Sequence, residues 1–192
     1  MIRVFPIAGG TTFSNDWGDG RSGGRSHQGN DLHARMGDPI VAVDDGYVRS
    51  GVDPLGGNIV NLYAADGTRY YYAHLSAYAT ADGSRVSYAP AQRGVRTGDL
   101  IGFVGNTGNA AQTDPHVHFE VHPGNGPAVN PYPMLLAAPR VTPNQLRAPA
   151  SSNGSRDLVR PILGVALAAS AAWLLLNPVQ AQRLARRLGV AR

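Results

Sequence analysis

Residues 116–122 read His-Val-His-Phe-Glu-Val-His, a stretch in which polar and apolar side chains alternate without exception. Successive side chains of a β-strand point to opposite faces, so the three apolar residues are expected to enter a core. His116 and His118 then share the other face, with Glu120 and His122 further along it. Two imidazoles and a carboxylate are a typical ligand set of catalytic zinc and leave a fourth position for water. Two histidines on the wet face of a sheet are the alternative.

Two further segments place histidine where a metal site could form. Residues 26–34 (SHQGNDLHA) contain His27 and Asp31 in an H-x-x-x-D pattern, and residues 70–75 (YYYAHL) contain His74. The chain has no cysteine, so any metal must be held by histidine and carboxylate side chains. H-x-x-x-D alone is weak evidence, since polar loops contain it by chance. Together with H-x-H it favours a metal-dependent site.

The remaining strand signals predict an all-β fold. Residues 58–63 and 69–75 flank the turn sequence Ala-Asp-Gly-Thr at 65–68, which predicts a β-hairpin. Residues 39–48 (PIVAVDDGYV) alternate loosely and indicate one strand, and residues 100–104 follow a Thr-Gly-Asp turn. Strands joined by short turns pair antiparallel, so we expect a compact antiparallel β-sheet or barrel-like domain.

The charge is distributed unevenly along the chain. Residues 1–138 carry nine arginines against eleven aspartates and one glutamate, a net charge of −3. Residues 139–192 carry eight arginines against one aspartate, a net charge of +7. A protein that binds nucleic acid should carry its basic residues on the folded face, so this distribution argues against a nucleic-acid partner.

The C-terminal part differs in character from the rest. Residues 139–157 are polar and contain Pro, Ser, Asn and Gly, as linkers do. Residues 162–176 (ILGVALAASAAWLLL) carry no charge and predict an apolar helix of about 22 Å, shorter than the ~30 Å core of a bilayer. We therefore expect a folded domain over 1–138, a linker over 139–157, and over 158–192 an apolar helix with a basic amphipathic tail. The apolar helix would meet a membrane or a protein assembly.

Five motifs follow one another along the chain: HQGNDL at 27–32, GDPIVAVDDGYV at 37–48, YAHL at 72–75, GDLIGFVGNTG at 98–108 and PHVHFEV at 115–121. In order, spacing and punctuation they resemble the lysostaphin-type (LytM-like) zinc peptidoglycan endopeptidases. The resemblance covers roughly residues 5–134. It implies a compact antiparallel β domain with an active-site groove on one sheet. It also implies zinc-dependent hydrolysis of peptide cross-links in bacterial peptidoglycan.

The resemblance further implies roles for five residues. His27, Asp31 and His118 correspond to the zinc ligands. His74 and His116 correspond to two catalytic histidines that do not bind the metal. They would orient and deprotonate the attacking water and stabilise the tetrahedral intermediate. Which of the two is the general base stays open.

Five other residues near these motifs have two possible roles each. His33 stands where the family usually has a small or apolar residue, and it is either an exposed histidine or part of the groove. His122 has the same two alternatives. Glu120, the only glutamate of the chain, either forms a salt bridge or orients a ligand histidine. Tyr70 and Tyr72 either pack in the core or line the groove.

Two kinds of function fit the sequence. One is an active metalloendopeptidase, and the other is a non-catalytic wall-binding or structural part of a larger particle. The presence of all five expected site residues favours the enzyme. Its substrate lies outside the cytoplasm, yet residues 1–6 lack the pattern of a signal peptide. A phage-encoded, tail-borne or lysis-released wall hydrolase resolves this conflict, and a membrane-anchored bacterial wall-remodelling peptidase is the alternative.

Overall fold

The computed structural model describes residues 2–146, and most regular structure in this part is β-strand. The strands are β1 (Gly20–Arg21), β2 (Arg25–Ser26), β3 (Asn30–His33), β4 (Pro39–Val41), β5 (Gly46–Asp53), β6 (Gly57–Ala64), β7 (Arg69–Leu75), β8 (Ala77–Ala79), β9 (Arg85–Val86), β10 (Arg93–Val95), β11 (Leu100–Phe103) and β12 (His116–His122). The helix α1 (Tyr132–Ala137) follows them, and short 3₁₀ turns lie at Ser22–Gly24, Gly108–Ala110, Pro123–Asn125 and Pro143–Gln145.

Two antiparallel sheets share one hydrophobic core. The larger sheet has the order β10-β5-β6-β7-β12-β3, the smaller has the order β4-β11-β8-β9, and β1 pairs with β2 separately. Buried side chains of both sheets belong to one cluster, among them Ile40, Leu62, Tyr72, Ile101 and Phe119. The predicted antiparallel all-β domain is therefore confirmed. The edge strands of its larger sheet are β10 and β3, which do not pair with each other. The larger sheet is therefore open and does not form a closed barrel.

Strand β12 has the two faces that its sequence predicts. Its three apolar side chains are buried in the core. On the other face His118 stands opposite Asp31 of β3 on one side and opposite Ala73 of β7 on the other. Because side chains at paired positions emerge on the same face of a sheet, the polar residues of three neighbouring strands meet there.

The predicted hairpin at residues 65–68 joins β6 to β7. Gly67 has a φ of 84°, which glycine adopts without steric cost, and its N–H donates to the carbonyl of Ala64. The carboxylate of Asp66 accepts the N–H of Thr68 at 2.9 Å. This local bonding fixes the register of β7 against β6.

The single strand expected over residues 39–48 is two strands in different sheets. β4 pairs with β11 in the smaller sheet, whereas β5 pairs with β6 and β10 in the larger one. The chain turns between them at Asp44 and Asp45. Asp45 accepts the N–H of Thr97 at 2.7 Å, and Asp44 forms an ion pair with Arg3 at 2.9 Å. The prediction of one strand is wrong because these two carboxylates hold a turn.

Strand β7 carries an irregularity near its end that redirects one side chain. The pairing of β6 with β7 shifts between Asn58 and Val60, as it does at a β-bulge. His74 lies in this region with a φ of 67°, a left-handed conformation that is uncommon outside glycine.

Tyr70 and Tyr72 are fully buried in the core, so the groove-lining interpretation of these two tyrosines is wrong and the packing interpretation is correct.

The chain continues to pack on the domain after α1. Val141 and Leu146 contact a small apolar cluster near the N-terminus, and the Arg140 guanidinium lies 3.8 Å from the ring centroid of Phe5. The packed part therefore extends at least to residue 146, beyond the expected boundary at residue 138.

The apolar helix expected over residues 162–176 and the basic tail after it lie outside the described residues. Within residues 2–146, no helix combines the length and the apolar character that crossing a membrane requires.

Candidate active site

Three side chains meet on the outer face of the larger sheet. His118 of β12 stands opposite Asp31 of β3, and His27 comes from the short connection between β2 and β3. His27 Nε2 lies 2.8 Å from His118 Nδ1 and 3.2 Å from Asp31 Oδ1. His118 Nδ1 and Asp31 Oδ1 are 3.1 Å apart. The structure thus brings together the three residues expected as metal ligands, and we call these three atoms the donor triangle.

The donor triangle has the dimensions of a zinc site. Ligand atoms of a tetrahedral zinc ion, with bonds of ~2.0–2.2 Å, lie roughly 3.3 Å apart. Within residues 2–146, it is the one group of at least three His, Cys, Asp or Glu side chains close enough to hold a metal ion. Burial alone would raise the pKa of Asp31, but hydrogen bonds from His118 and His27 outweigh burial and hold that pKa far below its usual value. The triangle therefore offers two imidazoles and an ionised carboxylate to a cation.

The opposite edge of the His118 ring is fixed by Glu120. His118 Nε2 lies 2.9 Å from Glu120 Oε1, and the other carboxylate oxygen lies 2.6 Å from Nε2 of His122. Burial lowers the pKa of His118, but its contacts with Asp31 and Glu120 outweigh burial and raise the pKa to about 9. The two acids therefore favour positive charge at this ring, whether a proton or a cation supplies it.

These contacts decide between the alternative roles of Glu120 and His122 in β12. Glu120 holds Nε2 of His118 and so turns Nδ1 toward the triangle, which supports the orienting role. His122 is buried, and its Nδ1 lies 2.8 Å from the carbonyl oxygen of Gly126. It is therefore not the exposed histidine of the first alternative, and it anchors Glu120 instead.

Asp16 and Arg21 support the donor triangle from behind, and sequence reasoning missed both. The main-chain oxygen of Asp16 lies 2.8 Å from His27 Nδ1, which leaves Nε2 of that ring for the triangle. Arg21 Nη2 donates to Asp31 Oδ2 at 2.7 Å, which leaves Oδ1 for the triangle. Asp16 lies in a loop and Arg21 in a strand of two residues, so neither belongs to a periodic pattern that could have identified it.

His74 lies beside the triangle on the irregular end of β7. Its main-chain N–H donates to the carbonyl of Gly56 at 2.7 Å, and its Nδ1 lies 2.9 Å from the carbonyl oxygen of Thr107. The carbonyl requires a proton on Nδ1, so Nε2 of the neutral ring carries the lone pair. Burial, and after it the neighbouring His116, lowers the pKa of His74 to about 4. His74 is therefore neutral at pH 7 and can accept a hydrogen bond from water.

His116 has the same arrangement at the start of β12. Its Nδ1 lies 2.8 Å from the carbonyl oxygen of Asp114, and burial lowers its pKa. Its Nε2 lies 3.9 Å from Asp31 Oδ1 and so faces the triangle. The ring centroids of His74 and His116 are 4.9 Å apart. All five residues expected at the site therefore lie together, with two neutral imidazoles next to the donor triangle.

These residues line an open groove of about 940 Å³. His33 also lines it and is exposed, with its ring centroid 5.3 Å from that of His116. Tyr71 occupies the groove position that the sequence suggested for its two neighbours. The β1–β2 hairpin forms one wall through Arg21 and Arg25. An open groove along a strand suits an extended peptide.

An antiparallel β domain with two histidines and an aspartate converging in an open groove has the donor set of a zinc hydrolase. The model of peptidase family M23 matches residues 25–131, which is more than half of the chain. The chain therefore belongs to peptidase family M23, and the resemblance to lysostaphin-type endopeptidases is confirmed. The matched range contains all five residues of the site.

Named relatives and solved structures agree with this assignment. The DD-carboxypeptidase/endopeptidase Mpg of Neisseria meningitidis serogroup B is 37% identical over 134 residues, which is 69% of this chain and 28% of that protein. The chain thus spans less than a third of that relative's length. A Ruminococcus gnavus protein named as a glycyl-glycine endopeptidase LytM aligns with a TM-score of 0.61 at 27% identity, over 73% of this chain and 62% of that one. The catalytic domain of EnpA, a prophage-encoded M23 protein of Enterococcus faecalis, aligns with a TM-score of 0.53 at 30% identity, over 68% and 95%.

Proposed function

We propose that this protein is a zinc metalloendopeptidase that hydrolyses peptide cross-links of bacterial peptidoglycan. The observation that carries the proposal is the donor triangle of His27, Asp31 and His118, whose atoms lie 2.8 to 3.2 Å apart in an open groove. The names of the relatives support an endopeptidase, because both Mpg and the LytM-named protein are described as cleaving peptide bonds.

The groove residues have two kinds of role, metal binding and proton transfer. His27, Asp31 and His118 would hold a zinc ion, which when bound polarises a carbonyl group and lowers the pKa of water to about 7. Glu120 and Arg21 keep two of these donors in position. One of His74 and His116 would accept a proton from the attacking water at Nε2, and the other would accept a hydrogen bond that orients this water. The ring that takes up the proton could then donate a hydrogen bond to the developing oxyanion. The Nδ1 atoms of both rings are held by main-chain carbonyls, so either ring can be the general base.

A non-catalytic wall-binding or structural module is the second candidate. Such a module has no use for two neutral imidazoles aligned beside a metal site. The groove also stays open next to these rings, so a peptide can reach them. These features favour the enzyme.

We further propose that the enzyme is phage-encoded or carried by a virion, and that it acts on the wall from a particle or after lysis. The similarity to the prophage-encoded EnpA supports this origin. The expected segment over residues 158–192 would then dock into the particle. The alternative is a bacterial wall-remodelling peptidase in which the same segment serves as a membrane anchor.

Digestion of purified peptidoglycan by the full chain tests the proposal, with mass analysis of the released fragments. We expect a rise of soluble fragments with new amino and carboxyl ends at one type of peptide bond. His74→Ala and His116→Ala should reduce turnover by ~10²-fold or more, the usual scale for a lost acid–base group. An intact wall after digestion with the zinc-loaded protein would refute the enzyme and leave the binding module.

A further inference from the structure

One arginine lies in the same groove at a distance from the donor triangle. Arg69 begins β7 and stands opposite His122 of β12, whereas Ala73 of the same strand stands opposite His118. Four positions along a strand correspond to ~13 Å. Arg69, Tyr71 and Ala73 alternate onto one face and all line the groove.

Two neutral side-chain amides hold the guanidinium of Arg69. Its Nε donates to Asn125 Oδ1 and its Nη1 donates to Asn61 Oδ1, both at 2.9 Å. Asn125 has a φ of 56°, a left-handed conformation that asparagine tolerates better than most residues, in the turn directly after β12. The guanidinium has five N–H groups, and these two hydrogen bonds use two of them, so three remain. Within the described chain, Nη2 has no hydrogen-bond acceptor.

The charge of Arg69 is not compensated by an acid. Within residues 2–146, no carboxylate lies within ion-pair distance of Arg69, whereas Arg21 is bound by Asp31 and Asp16. The two amides therefore orient the guanidinium without neutralising it. An oriented guanidinium with free N–H groups is suited to bind a carboxylate through two parallel hydrogen bonds.

We propose that Arg69 binds an ionised carboxylate of the substrate, about three to four residues away from the scissile amide. The groove then selects acidic stem-peptide cross-links over neutral oligoglycine bridges. This inference rests on the proposed function and narrows its substrate class. It concerns binding alone, because Arg69 lies too far from the donor triangle to touch the reacting atoms.

The test compares cross-linked stem-peptide dimers that differ only in whether their carboxylates are free or amidated, with pentaglycine as a third substrate. The wild-type full chain should cleave the free-acid dimer with a kcat/KM at least ~10-fold above that of the amidated dimer, because a charge-assisted hydrogen bond is lost on amidation. Pentaglycine should be the poorest substrate.

Three variants assign this preference to Arg69. Arg69→Gln should raise KM for the free-acid dimer by ~10-fold and leave kcat and the amidated dimer unchanged. Asn125→Asp keeps the shape of the contact but adds a compensating carboxylate, so it should weaken the preference in the same direction. Arg96→Gln removes the same charge from an exposed loop outside the groove and should leave the preference intact.

The outcomes separate this inference from the proposed function. Equal cleavage of the free-acid and amidated dimers, or a preference for pentaglycine, overturns the inference and leaves the peptidase standing. An Arg69→Gln or Asn125→Asp protein that is folded by circular dichroism and keeps the full preference also overturns it. If neither dimer nor whole peptidoglycan is cleaved by the zinc-loaded wild type, the proposed function fails, and the inference fails with it.

Discussion

At the scale of single residues, the site depends on which nitrogen of each imidazole is free. His27, His74 and His116 each have Nδ1 beside a main-chain carbonyl oxygen, which leaves Nε2 for the groove. His118 is reversed, because Glu120 holds its Nε2 and Nδ1 faces Asp31. The fold thus determines which nitrogen of each ring faces the groove before a substrate arrives.

Glu120→Gln tests the importance of this orientation. The amide oxygen of glutamine can still accept from His118 Nε2, but this hydrogen bond is weaker without the negative charge of the carboxylate. We expect zinc affinity to fall by ~10–100-fold, the usual effect of removing a group that orients a metal ligand. Competition with a chromophoric chelator measures this affinity. The matched control is Asp82→Asn, an acid-to-amide change outside the groove, and an affinity of Glu120→Gln equal to that of the control would refute the orienting role.

Sequence patterns identified those site residues whose relative positions follow from their spacing along the chain. H-x-H on a strand places two imidazoles on one face whatever surrounds them, and the chain shows this at His116 and His118. Asp16 and Arg21 could not be found this way, because they act on His27 and Asp31 through contacts that only the folded chain creates. The sequence left two roles for Glu120, a salt bridge or the orientation of a ligand histidine. Only the 2.9 Å distance between its carboxylate and His118 Nε2 favours the second role.

At the scale of elements, sequence patterns predicted β6, β7 and β12 and failed where a turn interrupts the alternation. β12 and the β6–β7 hairpin follow their patterns because local bonding and side-chain direction agree. Residues 39–48 alternate across a turn, so the pattern joined β4 to β5 although the strands belong to different sheets. β8, β9 and β10 have two or three residues each, too few to give a period.

Asp45 holds the turn between β4 and β5, and Asp45→Ala tests its contribution to stability. The main-chain N–H of Thr97, helped by its hydroxyl, holds the pKa of Asp45 below its usual value. A lowered pKa means that the stabilisation is complete above the unfolded pKa of ~3.9 and is lost as the pH falls through the folded pKa. The side chain is half exposed, so we expect a loss of only about 1 kcal/mol in the free energy of unfolding at pH 7.

Urea unfolding of wild type and Asp45→Ala at pH 7 and at pH 3 measures this effect. The difference between the two proteins should be smaller at pH 3, where protonation of Asp45 begins to remove the same contact in the wild type. A difference of equal size at both pH values would show that the hydrogen bonds of the ionised carboxylate are not its source.

At the scale of the whole molecule, the chain combines a mildly acidic domain with a basic C-terminal part. The net charge is −3 over residues 1–138 and +7 over residues 139–192. The contacts of Arg140, Val141 and Leu146 with the domain could not be foreseen, because the polar composition of this stretch is that of a linker.

Two truncations test the division into a catalytic domain and a separate C-terminal segment. A chain ending at residue 146 should stay folded, bind zinc and cleave peptidoglycan, since every contact described for the site lies within it. A chain ending at residue 138 should unfold more easily, by roughly 1–3 kcal/mol, because the side chains of Val141 and Leu146 no longer cover the apolar cluster near the N-terminus. Thermal unfolding and wall digestion compare the two, and an inactive chain 1–146 would refute the division.

The most direct measurement is the zinc content per chain, determined by elemental mass spectrometry on four proteins purified in parallel. Wild type, His74→Ala and His116→Ala should each hold about one zinc ion, because the two groove histidines lie outside the donor triangle. His118→Ala removes one corner of the triangle and should hold almost none. Stoichiometric zinc in His118→Ala, or loss of zinc from either groove variant, would contradict the assignment of His27, Asp31 and His118 as the metal site.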